Sequence, residues 1–467
     1  MKLELNGTNV IAESERGGKA SSLFWPWCGA NVSLLALSYG SFFLGFGISF
    51  WQATVAAFLG TVLSFLLVGF SSLAGKKSNA PTMVLSRASF GVHGSVIPGL
   101  LSYLLFVGWE IVLMSLATLA TGTVFIRLGG IDQNTAMVLG FGIAILLTVS
   151  AAVLGFTVIM RIQRALTIVT IVATIFYISL TVGKVDWTAV SAIPNGSAQG
   201  FIGALIFGAT GIGLGWVNAA ADYSRYLPRK TSSAAVVGWT VFGASIVPII
   251  LVTYGAALSG SSKELSEAIA SDPIGALTTI LPTWYLLIFA LVAILGLVGG
   301  AILNLYSSGL ALISIGLPVK RHVAASIDAF LMLLGVIYFV WIADGFFFPF
   351  QGFLITLGVP IAVWSAIFVT DVLLRNNFNE SDLYSHQGRY GTWNKKSISI
   401  LVVGTFVGWG FVTNTFASWL SWQGYFLFLI GGKDGSWAYA NLGVFFALLI
   451  GFTGYFLVTR KTIAQQQ

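Results

Sequence analysis

Twelve apolar stretches follow one another along this chain, each close to or above the roughly 20 residues that a helix needs to cross a bilayer. They begin near Phe24, Thr54, Ser89, Thr135, Ala165, Phe201, Ala234, Leu281, Val323, Gly352, Ile398 and Ala438. Inside lipid every backbone N–H and C=O must be satisfied within the protein, which leaves helices as the form such stretches take. Only 8% of the residues are charged, against about 25% in soluble domains. The expectation is an all-α, multi-pass membrane protein of twelve transmembrane helices. Residues 1–22 are polar and read as a tail. The first apolar stretch is too long and badly flanked for a cleavable signal, so it is expected to stay as a span. The largest polar interval runs from Arg375 to Lys396, and Trp422–Gly435 (WQGYFLFLIGGKDG) is too short to span. Residues 23–460 read as one twelve-helix domain, with a short tail at 461–467.

The charges carry the topology. Twelve spans put both termini on one side. With the termini placed in the cytoplasm, nineteen Lys and Arg residues fall on that side, and only Arg127, Lys184, Lys263 and Lys433 on the other. This is the positive-inside asymmetry of a cell-membrane protein. The net charge of +7 is thereby topology and not a nucleic-acid surface. The lone Cys28 excludes an internal disulfide.

Glycine marks two of the spans. Gly208, Gly211, Gly213 and Gly215 crowd the sixth (FGATGIGLGW), and Gly40, Gly45 and Gly47 interrupt the first. Each costs about 1 kcal/mol against Ala in a helix interior. Matched interruptions five spans apart predict two inverted five-helix repeats, about 23–185 and 200–376, whose first members are broken, with extra helices at about 397–460. Gly404 and Gly408 form a GxxxG packing pair.

Few residues in the spans can do chemistry. Glu110, in LLFVGWEIVLM, is a membrane-embedded carboxylate, which is costly unless it serves a cavity, a partner or reversible protonation. Its neighbour Trp109 offers a flat face for a ligand near mid-span, where interfacial belt anchoring is not expected. Asn304, in GLVGGAILNLYSSGL, carries an amide that donates and accepts together, and Gly300 leaves space beside it. Trp216 supplies a second aromatic face. Two flat faces and an amide describe a pocket for a planar polar heterocycle. Asp222 is expected to cap a helix end or pair with Arg225 or Arg229, with gating as a consequence. Asp328, Asp344 and Asp371 are expected near span ends, reaching solvent. His93, His322 and His386 are scattered near loops and suggest no metal. There is no P-loop, and the GxGxG at Gly211–Gly215 follows no strand, so it is no dinucleotide site.

These residues resemble the nucleobase–cation symporter family, which includes cytosine and purine permeases and carriers of allantoin, hydantoin and thiamine precursors. The resemblance runs from about Phe24 to Arg460. It rests on FWPWCGANVSLLALSYG, SRASFG, the GW of the third span, GWVNAAADYSRYLPR, NLYSSGLAL and FQGFLITLGVPIAVW. It implies a leucine-transporter-type fold, with helices one, two, six and seven as a bundle against a scaffold of three, four, eight and nine. It also implies that Trp109, Trp216 and Asn304 contact substrate, and that Gly29 and Asn31 line the site. Gly213 stands where other members place an aromatic residue. Two departures bear on mechanism. Leu113 stands where the family often has Gln or Asn. Val298 and Gly299 stand where sodium-driven relatives place Ser or Thr hydroxyls. The reading that follows is a monomeric nucleobase importer working by alternating access, without a cofactor, and driven by a co-transported proton in preference to sodium. The alternative is a same-fold carrier of hydroxymethylpyrimidine, allantoin or hydantoin, with sodium coupling left open.

Overall fold

The computed structural model describes residues 7–154, 156–343, 347–415 and 418–466, so Asp344 lies outside the described residues. Ten helices among these are long and apolar enough to cross a membrane, and a further pair, Ala20–Asn31 and Leu35–Leu44, is bent by 67° about a short break. In chain order the helices are α1 (Phe24–Asn31 with Leu35–Leu44), α2 (Phe50–Ser78), α3 (Val96–Leu128) and α4 (Gln133–Leu154). There follow α5 (Phe156–Thr181), α6 (Ala198–Ser224), α7 (Ser233–Ser261), α8 (Leu286–Ser314) and α9 (Arg321–Trp341). The last are α10 (Phe347–Leu374), α11 (Lys395–Gly410) and α12 (Leu442–Gln466). The expected eleventh span, α11, is only 16 residues long, short for a crossing. Arg161 and Arg164, expected in a loop, lie inside α5.

The helices pack in two groups. α7 lies against α2 and both halves of α1, and α6 lies along α2; α3, α4, α8 and α9 pack on one another, while α10 packs with α11 and α12. This is the bundle-and-scaffold division. Small residues set the closest approaches: a Cβ on Gly40 would lie 2.1 Å from the Ala256 nitrogen, and one on Gly255 1.9 Å from the Leu37 carbonyl oxygen. Gly408 meets Gly443 of α12 in the same way.

The break in α1 falls at Val32–Leu34, not at Gly40, Gly45 or Gly47. Polar side chains cause it. Asn31 Nδ2 donates to the Trp27 carbonyl at 2.8 Å, and the Leu35 N–H donates to Ser33 Oγ at 3.3 Å. Such local bonds compete with helix continuation. Gly40 serves contact with α7 instead. The expectation that α6 would also unwind is corrected. Its glycines change the pitch and leave the chain helical, as a π turn over Ala209–Gly213 and a 3₁₀ stretch over Leu214–Ala219. Tyr39 Oη donates to the Gly211 carbonyl at 3.1 Å and Asn218 Nδ2 to the Gly215 carbonyl at 3.0 Å, so carbonyls displaced from the α pattern are partnered.

Three further expectations change. Asp371 is fully buried. Arg375 Nε donates to both its oxygens at 2.9 Å, and Tyr455 Oη donates at 2.6 Å. Asp328 is also fully buried. His93 and His386 are not scattered, because their rings stack at 4.5 Å. Among the described residues no group of three or more His, Cys, Asp or Glu is placed to hold a metal ion.

A strap formed by Gly7–Arg16 crosses the end of the bundle where α6 terminates. Ile11 and Asn79 exchange hydrogen bonds, and Arg16 donates to the Leu227 and Lys76 carbonyls. Arg225 Nη1 donates to the Gly7 carbonyl at 2.9 Å. Arg229 bridges Glu13 at 2.7 Å and Glu380 at 2.5 Å. Hydrogen bonds from Arg229 and Asn79 hold the Glu13 carboxyl below its ordinary range, which keeps it charged at neutral pH.

Candidate solute-binding site

The break in α1 and the change of pitch in α6 face each other across a cavity of about 90 Å³, room for roughly six waters at about 15 Å³ each. Its walls come from α1 (Asn31, Ser33, Tyr39), α3 (Trp109, Leu113), α6 (Thr210, Gly215, Trp216), α7 (Pro248) and α8 (Gly296, Asn304). Bundle and scaffold therefore both contribute.

Four of the residues singled out from the sequence meet here: Trp109, Trp216, Asn31 and Asn304. Trp216 is held edge-on by Trp27, with ring centres 5.9 Å apart. A Cβ on Gly215 would sit 3.6 Å from Trp109 Nε1, an ordinary contact distance, so that indole lies against α6. Asn31 spends its amide donor on the Trp27 carbonyl and keeps its side-chain oxygen. Asn304 is 4% exposed, and no hydrogen bond to a described residue holds its amide. A buried amide without a partner costs about 1–3 kcal/mol. Here it lines a space that a polar solute can fill. Leu113 makes one wall apolar where an amide was the family expectation.

Three glycines expected at the site lie elsewhere. A Cβ on Gly29 would be 2.2 Å from Gln163 Oε1 and 2.7 Å from Thr167 Oγ1, so Gly29 seats α1 against α5. A Cβ on Gly213 would be 2.1 Å from Ser64 Oγ, so Gly213 packs on α2. Gly300 backs the wall from behind, 3.1 Å from Leu113 and 3.4 Å from the Ala30 carbonyl by the same measure. Periodicity alone did not tell which face of a glycine-rich turn looks inward. Tyr39, Ser33 and Thr210 were missed as lining residues, although the first two lie in the α1 motif.

Glu110 is one position from Trp109 but turns away from the cavity. It is fully buried, and neither carboxyl oxygen has a hydrogen-bond partner among the described residues. Asp222 is structural: it accepts from the Thr82 N–H at 2.8 Å and the Thr82 hydroxyl at 2.9 Å, tying α6 to the short Thr82–Leu85 helix. Arg225, fully buried, donates to Tyr306 Oη at 3.0 Å as well as to the strap. Asp222→Ala is expected to remove about 3 kcal/mol of stability, from two bonds to a charged group at about 1.5 kcal/mol each. Thermal unfolding of the purified variant checks this, with solute affinity unchanged in the folded fraction.

The cavity continues away from the strap. It shares Thr210 and Gly211 with a second space of about 100 Å³, lined also by Leu354 of α10 and Val444 of α12. That space shares Phe46, Phe207 and Tyr439 with a vestibule of about 620 Å³. Phe207 stands at the passage, stacked on Tyr39 with ring centres 5.3 Å apart and packed against Phe42, Phe43 and Phe46.

Comparison with known proteins accords with this architecture. A sequence model of the permeases for cytosine/purines, uracil, thiamine and allantoin matches residues 10–437. The chain is 24% identical over 447 residues to Bacillus subtilis YxlA, provisionally a purine-cytosine permease, covering 94% of this chain and 93% of that one. It is 30% identical over 150 residues to the cytosine permease of Escherichia coli K12, covering 32% of each. Mhp1, a nucleobase-cation-symport-1 family transporter solved closed with bromovinylhydantoin bound, superposes with a TM-score of 0.72 at 19% identity. That match covers 98% of this chain and 96% of Mhp1, and it bears on the fold alone.

Proposed function

The chain belongs to the family of permeases for cytosine/purines, uracil, thiamine and allantoin, and from that premise we propose that it imports a nucleobase, cytosine or a purine, by proton symport. The observation that carries the substrate reading is the Asn304 amide, without a hydrogen bond to any described residue, in a cavity that Trp109 and Trp216 also line. A flat base with donors and acceptors on its edge satisfies both features. The base stacks on the tryptophans, Asn304 and the Asn31 oxygen read its edge, and bundle and scaffold rock about it. Both termini lie in the cytoplasm, the vestibule opens outside the cell membrane, and one chain suffices for transport.

Proton coupling is favoured over sodium by the helix junction that holds Val298 and Gly299. Gln163 of α5 reaches it, and its Nε2 donates to the Gly299 carbonyl at 2.6 Å. A Cβ on Gly299 would lie 2.8 Å from the Gly29 carbonyl oxygen. A neutral amide donor thus engages a carbonyl oxygen that a hard cation would need, and positions 298 and 299 carry no side-chain hydroxyl. Glu110 is the proton carrier in this reading, since coupling requires a group that distinguishes the two states.

Uptake of labelled cytosine or adenine into cells expressing the protein tests this. Saturable accumulation is expected, unchanged when choline replaces sodium and collapsed by a protonophore. Sodium dependence would overturn the coupling. Stronger competition by allantoin, hydantoin or hydroxymethylpyrimidine than by nucleobases would replace the substrate.

A further inference from the structure

Behind Trp109, on the scaffold side, Glu110 of α3 and Asp328 of α9 are both fully buried and close enough for their charges to interact. Ser308 of α8 lies between them. Its hydroxyl contacts Asp328 Oδ2 and approaches Glu110, while Tyr103 of α3 approaches Asp328. Both Glu110 oxygens and Asp328 Oδ1 lack hydrogen-bond partners among the described residues.

No cation faces this pair among the described residues. α8 contributes only Tyr306 as an ionisable group, and α4, packed against α3, α8 and α9, contributes none. Arg321 of α9 begins its helix about two turns away; it donates to the Ala152 carbonyl and lies over the Tyr306 ring. Arg127 is at the far end of α3, bonded to the Thr278 carbonyl. On α10, which also packs on α3, Asp371 is engaged by Arg375.

Two buried carboxylates without a counter-ion repel and cannot both stay ionised. The serine gives a second indication. Ser308 has one proton but contacts two oxygens, Asp328 Oδ2 and, at 3.1 Å, the Leu305 carbonyl. A carbonyl only accepts. A proton on Asp328 satisfies both contacts at once, with the carboxyl donating to the serine and the serine to the carbonyl.

We propose that Glu110 and Asp328 form a proton store that holds one proton between them through Ser308, and that its loading is what the solute site senses. The connection is covalent and short: Glu110 follows Trp109 on α3, and Ser308 lies one turn beyond Asn304 on α8. Any shift of α3 against α9 that accompanies rocking changes the separation of the two carboxyls, and with it their hold on the proton. The coupling role rests on the proton-symport reading; the shared proton does not.

Infrared spectroscopy of the purified full-length protein at pH 7 separates the two. The wild type is expected to show a deuterium-sensitive carbonyl stretch of a protonated carboxyl that disappears in the double variant Glu110→Gln/Asp328→Asn. Absence of that difference overturns the store. In proteoliposomes, Asp328→Asn alone is expected to lower proton-driven accumulation of labelled cytosine or adenine by about tenfold, the factor one pH unit supplies, while exchange of labelled for unlabelled base persists. Undiminished accumulation overturns the coupling role. If the wild type proves indifferent to the proton gradient, the symport reading fails, and the infrared band still decides whether the pair shares a proton.

Discussion

Asn304→Ala is expected to weaken binding of the transported base by about 5- to 150-fold. No hydrogen bond to another described residue holds its amide, which lines the cavity, so its hydrogen bonds in the loaded state are expected to go to the solute. Leaving a buried base edge unsatisfied costs about 1–3 kcal/mol, and about 1.4 kcal/mol is a factor of ten. Trp109→Ala is expected to lose a similar amount, since stacking a base on an aromatic ring contributes about 1–3 kcal/mol, with Trp109→Phe retaining part of it. Isothermal titration or scintillation-proximity binding on monodisperse protein checks both. An unchanged affinity in either variant removes that residue from the site.

A second large effect is expected far from the solute. Gly40→Leu or Gly255→Leu should abolish folding in the membrane, because the new Cβ alone would meet backbone of the facing helix at 2.1 or 1.9 Å. Overpacking commonly costs about 1–3 kcal/mol where side chains can move. Here the obstacle is main chain on both sides, and the cost exceeds that range. Gly142→Ala on α4, with nothing within 4 Å of its Cβ, is the control and should be neutral. Yield of monodisperse protein and its melting temperature give the comparison, and normal folding of Gly40→Leu would mean that α1 and α7 can separate.

The fold was largely legible in the sequence because the bilayer leaves so few options. Span lengths located the helices to within about five residues, apart from α11, which is short, and the starts of α3 and α5, which fall seven residues later and nine earlier than expected. The break in α1 was foreseen for the wrong residues: glycine was taken as the breaker, whereas Asn31 and Ser33 divert the backbone by bonding to it. Glycine in lipid more often marks a contact, as Gly29, Gly40 and Gly213 do. The aromatic and amide residues of the site were legible because bulky polar groups at mid-span have few uses. The partners that arrive from distant sequence were not legible. Asp328 looked like a span-end residue, and nothing local linked it to Glu110 across 218 positions of chain. Gln163 likewise shows its role only once α5 is set against α1 and α8.

The strap has a consequence for timing. Opening towards its face means that Gly7–Arg16 must come away from the ends of α2 and α6 and from Tyr384 beyond α10. Those bonds are spread over several elements but engage one short segment, so they yield together. On the proposed orientation, with the termini inside, the strap is a latch remote from the cavity, and changes to it are expected to alter turnover without altering what is selected.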